Sequence, residues 1–191
     1  MKMRYKLSGW LLTLVCALTL AGCGNSDKEF VSYDPVAFHS DDECHVCGMI
    51  IADFDGPKGQ VVDKDGVKKF CSTAELLGWW LQPENKIRQA RLYVHDMGKS
   101  PWDKPDDNYL IDATQAWYVA GTPLTGAMGA SLASFADQHA AETFAEQYEG
   151  AQVVSFDQID QAFLQKAAAA QAGADSMSHH PEHAHSHHPN H

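Results

Sequence analysis

Three sulfur side chains fall within six positions at Cys44-His45-Val46-Cys47-Gly48-Met49. A fold that carries this string must cross-link it, bury it or give it a metal. Two cysteines separated by two residues can share one ion or close into a small disulfide ring, a pattern common to zinc sites, redox dithiols and haem attachment. Haem attachment requires His directly after the second cysteine, where Gly48 stands. A thioredoxin-like dithiol belongs at a strand-to-helix turn, whereas Met49-Ile50-Ile51-Ala52-Asp53 reads as an extended apolar run. Met49 separates the remaining options. Thiolate and thioether are soft donors that suit Cu(I), while zinc sites rarely accept methionine. In an extended segment Cys47 and Met49 share one face, and Gly48 permits a bend toward an ion.

The other donors have competing readings. Met128, in Gly126-Ala127-Met128-Gly129, sits in an expected flexible loop and offers a sulfur from the other half of the chain; otherwise it fills core. Cys71 reads first as a small buried hydrophobe beside Ser72. Cys44 is a second ligand, a disulfide partner of Cys47 or a bystander. His95, next to Asp96, reads as a satisfied surface histidine, or else as an imidazole oriented to support a metal site.

Lys2, Arg4 and Lys6 precede the apolar run from Leu7 to Leu20, which has the length of a signal peptide and is short for a membrane span. Leu20-Ala21-Gly22-Cys23 looks like a bacterial lipobox, with Cys23 as the acylated first residue after cleavage. Gly24 in the following position leans toward the outer membrane. Cleavage leaves 11 basic against 25 acidic residues, a balance of −14, and only Cys44, Cys47 and Cys71 as thiols in an oxidising compartment. That charge has the wrong sign for a sequence-independent nucleic-acid binder.

Residues 1–22 are thus expected as signal peptide, 23–41 as lipid anchor and tether, 42–105 and 106–166 as two small units, and 167–191 as a flexible tail. The tail holds seven of the 11 histidines, from His179 to His191, which suits loose capture of divalent ions. β-Branched and aromatic clusters predict strands near 60–62, 67–70, 92–94, 109–111, 116–120 and 153–156, with a hairpin turn at Asp65-Gly66. Ser72 with Glu75 predicts a capped helix through Trp80, stopped by Pro83. Further helices are expected over about 136–149 and after Asp157. Each half repeats strands, helix and strand, so the predicted fold class is α+β, two small related units in tandem. Units of that size bury little core alone and must pack together or be held by metal.

With these residues in hand, the chain resembles the NosL family of lipoprotein copper chaperones. The likeness rests on Cys23 in its lipobox, Cys44-His45-Val46-Cys47-Gly48-Met49-Ile50-Ile51, Gly56-Pro57-Lys58, Lys69-Phe70-Cys71-Ser72-Thr73, Tyr93-Val94-His95-Asp96-Met97, Trp117-Tyr118-Val119 and Gly126-Ala127-Met128-Gly129. The resemblance implies two related ββα-type (treble-clef-like) units in tandem, in a non-enzymatic protein on the periplasmic side of a membrane that binds one Cu(I). It also implies delivery to nitrous oxide reductase for its catalytic copper-sulfide cluster, assisted by a membrane Nos ATP-binding cassette complex. Carried over by position, the ligands are Cys47, Met49 and Met128. The rival reading is a structural zinc module built from Cys44, Cys47, Cys71 and a histidine.

Overall fold

The computed structural model describes residues 32–178, so Cys23 and the histidines from His179 onward lie outside the described residues. The architecture is α+β with antiparallel sheets. In the first half, β1 (Gly59–Asp63), β2 (Gly66–Phe70), α1 (Thr73–Trp80), the short α2 (Pro83–Lys86), β3 (Ala90–His95) and β4 (Leu110–Asp112) follow in order. Its sheet runs β2-β1-β3-β4. In the second half come β5 (Trp117–Ala120), the small hairpin β6 (Thr125–Gly126) and β7 (Gly129–Ala130), then β8 (Ala133–Phe135), α3 (Gln138–Ala145), β9 (Gln152–Ser155) and α4 (Gln161–Ser178). Its sheet runs β8-β5-β9. In both halves the first strand lies in the middle, between the strands that precede and follow the helix.

β1 is buried along its whole length because it has neighbours on both edges and α1 against it. Gly59 allows the approach: a Cβ there would lie 2.4 Å from Leu76 Cδ1. The main core joins Val61, Phe70, Leu76, Leu92 and Val94 of the first half to Tyr118, Leu132 and Ile159 of the second. The halves therefore meet the small-unit burden by packing together. Val119, Ala133, Phe135 and Ala141 form a second cluster under α3. Polar ties cross the same seam: Ser134 Oγ donates to the His95 carbonyl at 2.7 Å, and Met97 N–H donates to the Ser134 carbonyl at 2.7 Å.

Several local expectations shift by a few residues. Asp63 pairs with Gly66, so the β1–β2 turn is Lys64-Asp65, and Gly66 takes the positive φ of +118° as the first residue of β2. The last helix is capped by Asp160, whose Oδ1 accepts Phe163 N–H at 2.7 Å, while Asp157 lies in a 3-10 turn. The loop carrying Met128 is the β6–β7 hairpin, with Gly126 paired to Gly129. α4 continues through Ser178, past the boundary expected at 166, in keeping with its Ala/Gln composition. Ala167 packs on the core and Gln171 donates to the Leu124 carbonyl at 3.0 Å. Among the described residues no helix is long and apolar enough to cross a membrane.

Residues 33–42, within the span read as a tether, run as a strap tied to the first sheet. Gln60 on β1, 0% exposed, accepts Val36 N–H at 2.9 Å and donates to the Val36 carbonyl at 2.8 Å. Tyr93 Oη donates to the Tyr33 carbonyl, and Asp107 accepts Phe38 N–H at 2.7 Å. Lys69 donates to the Ala37 carbonyl at 2.7 Å and pairs with Asp42.

Candidate metal centre

The strap delivers the chain into a tight loop. Glu43 bridges to Ile50, Cys44 N–H donates to the Met49 carbonyl at 2.9 Å, and Gly48 N–H returns to the Cys44 carbonyl at 2.8 Å. Gly48 closes the loop at φ +71°, a conformation that L side chains rarely adopt. His45 N–H donates to the Lys69 carbonyl at 2.8 Å and staples the loop to β2. The expected extended run after Met49 gives way to a 3-10 turn over Ile51–Asp53, which folds Ile51 into the interior beside the cysteines.

Cys71 reaches the loop from 24 residues away. It lies between the end of β2 and Ser72, whose Oγ accepts Glu75 N–H at 3.1 Å and opens α1. The sulfurs of Cys44, Cys47 and Cys71 all lie within 4.8 Å of one another, and Cys47 and Cys71 are 3.7 Å apart. All three thiols are free. Cys44 and Cys71 are 2% and 0% exposed, whereas Cys47 is half-buried. Approach from solvent therefore runs through Cys47. Phe38, Ile51 and Ala127 close the cluster with apolar surface.

Burial pushes the Cys71 thiol well above its ordinary value, and hydrogen bonding and repulsion from the neighbouring sulfurs push it further. Burial opposes ionisation of Cys44 too, but hydrogen bonds at its sulfur from the backbone of Cys47, Cys71 and Val46 bring its thiol below the usual range. Lys58 adds positive charge nearby. Its Nζ donates to the carbonyls of Phe54 and Asp55, burial lowers its pKa to about 8, and attraction to Cys71 and Asp55 acts in the opposite direction.

The methionines sit at the margin of this cluster. Met49 is half-buried, and its backbone is bonded to Cys44. Met128 is 58% exposed at the β6–β7 tip and lines a cavity of about 240 Å³ with Leu132, Leu164 and Glu75. Its neighbour Ala127 is the tip residue that packs on the cysteines.

The histidines are engaged elsewhere. The His45 ring packs edge-on against Phe70 and Trp79, with centroids 5.8 and 5.5 Å away. His95 is 1% exposed, which corrects its reading as a surface residue, and its partner is Asp107 rather than the adjacent Asp96. Nδ1 accepts Lys58 N–H at 3.0 Å, so Nε2 carries the proton and donates to Asp107 Oδ1 at 2.9 Å. Asp96 instead accepts Gly98 and Ala136 N–H. A structural zinc site needs four ligands. Among the described residues the donor cluster comprises the three cysteines alone, without the histidine that the zinc reading requires. Cys71 entered the sequence reading as a partner of Cys47 only in the rival zinc module, because β2 intervenes; a further signal was its place beside a helix cap.

The NosL family profile matches residues 35–164. The copper-binding lipoprotein NosL of Stutzerimonas stutzeri is 59% identical over 184 residues, 96% of each chain. The copper-binding lipoprotein NosL of Achromobacter cycloclastes is 32% identical over 127 residues, 63% of this chain and 64% of that one. The crystal structure of the copper chaperone NosL from Shewanella denitrificans superposes with a TM-score of 0.65 at 46% identity, covering 69% of this chain and 98% of its own. These relatives are named for a copper-binding, non-enzymatic role.

Proposed function

Because the chain belongs to the NosL family, we propose that it is a lipid-anchored metallochaperone that carries one Cu(I) to nitrous oxide reductase for assembly of its copper-sulfide cluster. The observation that carries this reading is the cluster of free thiols within 4.8 Å, of which Cys47 is the least buried member, on a loop that also bears Met49. Cys47 and Met49 are the primary ligands, and Met128 approaches from the β6–β7 tip. Soft sulfur donors favour a monovalent copper ion over harder divalent ions. With Cys47 facing solvent, an incoming acceptor ligand bonds the ion before the donor bonds break, and transfer needs no hydrolysis by this chain. The membrane Nos ATP-binding cassette complex assists that transfer.

Acylation at Cys23 holds the protein on the periplasmic side of a membrane, the outer one on the strength of Gly24. The two halves are treble-clef-like relatives of one another, a reading supported by their shared strand order. The acidic surface speeds encounter with a basic acceptor patch. Replacing Cys47 by Ser and Met49 by Leu is expected to weaken anaerobic Cu(I) binding, with Cys47→Ser losing at least a hundredfold, read by competition with a chromophoric Cu(I) chelator. Unchanged affinity in both variants overturns the assignment.

A further inference from the structure

We infer that Phe38 is a gate: its ring plugs the cysteine cluster on the strap side and sets how fast, rather than how tightly, the cargo is exchanged. This inference rests on the copper-carrier reading above and gives the strap a part in it that no ligand supplies. Three partly buried apolar residues pack on the buried Cys44, Ile51 and Cys71, namely Cys47, Ala127 and Phe38. Cys47 offers a donor and Ala127 a single methyl group. Phe38 is the one large side chain of the three, so the cover over Cys44 and Cys71 depends on where its ring stands.

That position is set from several sides. Asp107 Oδ2 accepts the Phe38 N–H at 2.7 Å, and the His95 ring lies 5.4 Å from the Phe38 ring between centroids. The Lys69 ammonium stands 5.3 Å from the same ring, within cation–π reach. It also donates to the preceding carbonyl, that of Ala37, at 2.7 Å. The Lys69 carbonyl in turn receives His45 N–H from the cysteine loop. One residue of β2 thus ties the strap to the loop that the strap covers, and the plug is fixed relative to the sulfurs.

A plug also needs somewhere to go. Phe38 lines a cleft of about 910 Å³ together with Phe54, His95, Pro101, Pro105 and Asn108, so the ring has apolar surface and free space beside it. Asp107 and the Lys69 hydrogen bond hold backbone atoms of the strap. Rotation of the ring about its own Cα–Cβ bond therefore leaves the strap in place. Phe38 contributes no donor to an ion. A group with no differential interaction cannot shift the loading equilibrium. It acts on the barrier instead, slowing entry and exit by the same factor.

The test uses the full chain and two kinds of rate. In the metal-free protein iodoacetamide is the probe, and peptide mass spectrometry reads which cysteine it has alkylated. Access controls the reaction of a buried thiol, so Phe38→Ala is expected to speed alkylation of Cys44 and Cys71 about tenfold or more and to leave Cys47 within about threefold. Phe38→Leu keeps apolar bulk and is expected to speed the same two by about two- to fivefold. In the loaded protein, Phe38→Ala is expected to release Cu(I) to a chromophoric chelator about tenfold faster, with equilibrium affinity within about threefold of wild type. Circular dichroism confirms folding of each variant. A folded Phe38→Ala variant whose Cys44 and Cys71 react no faster, or whose faster release is matched by equally weaker binding, overturns the gate and leaves the carrier function intact. Where Phe38→Ala fails to fold, Phe38→Leu rates equal to wild type overturn it. Failure of the wild type to take up Cu(I) overturns the carrier reading, whereas the alkylation rates test the cover without copper.

Discussion

Gly48 shows how narrowly a single residue sets this centre. Its φ of +71° is required by the loop, and a Cβ there would meet nothing within 4 Å, so substitution acts through the backbone alone. Gly48→Ala is expected to cost about 1–2 kcal/mol, read from urea unfolding, with weaker copper binding as the loop relaxes. His95 gives a pH signature. Burial holds its imidazole below the ordinary 6.5 despite the opposing pull of Asp107, with Lys58 adding to the depression. The unfolded chain takes up a proton near 6.5 before the folded one does. Stability is therefore full above that pH and declines as pH falls below it. His45 shifts in the same direction, so His95→Gln is expected to flatten only part of the slope between urea midpoints at pH 7.5 and 5.5. At this scale the proximity of Cys44 and Cys47 was legible because they are close in sequence. Cys71 read first as a buried residue, which it is, and joined the other cysteines only in the rival zinc reading. Its second property, contact with Cys47, arises from a strand that the spacing of cysteines does not encode. The orienting acid of His95 was misplaced for the same reason: Asp107 is twelve residues away, whereas Asp96 turns to cap backbone amides.

Elements were easier to read than contacts. The capping signal at Ser72 appears as a hydrogen bond, and the strands near 60–62, 67–70 and 92–94 appear with alternation suppressed in β1 by its central position. The hairpin carrying Met128 was missed because two glycines suggest freedom, yet Gly129 uses its φ of +87° to close a two-residue turn. Asp137 caps α3 through Ala140 N–H at 2.9 Å, far from the cysteines in the chain. Asp137→Ala is expected to lower stability by about 1 kcal/mol without changing copper affinity. Gly59→Ala is a harsher change, since the added methyl meets Leu76 where β1 and α1 touch. A loss of about 1–3 kcal/mol is expected, and thermal unfolding of the two variants distinguishes a lost cap from an overfilled contact.

Across the described residues, the two halves share one core, and the strap is tied to the first sheet by side chains. A chain starting at 33 keeps the strap's ties to Tyr93, Gln60 and Asp107 and serves as the reference. A chain starting at 43 loses both hydrogen bonds to buried Gln60 and the Phe38 cover over the cysteines. It is expected to be less stable by at least about 2 kcal/mol. Equal midpoints for the two truncations would show that the strap is ornamental to folding. The strap was unreadable from sequence because its anchors are single side chains on distant elements, Gln60 and Tyr93 on strands and Asp107 in a 3-10 turn, and a polar segment without periodicity gives no sign of them. The cluster it covers presents solvent with one sulfur out of three. Under the proposed carrier role, small thiols such as glutathione would meet a bound ion from that one direction. In that role, slow loss to the surrounding fluid is expected, with rapid unloading only to a protein whose contour brings its own donor to that opening.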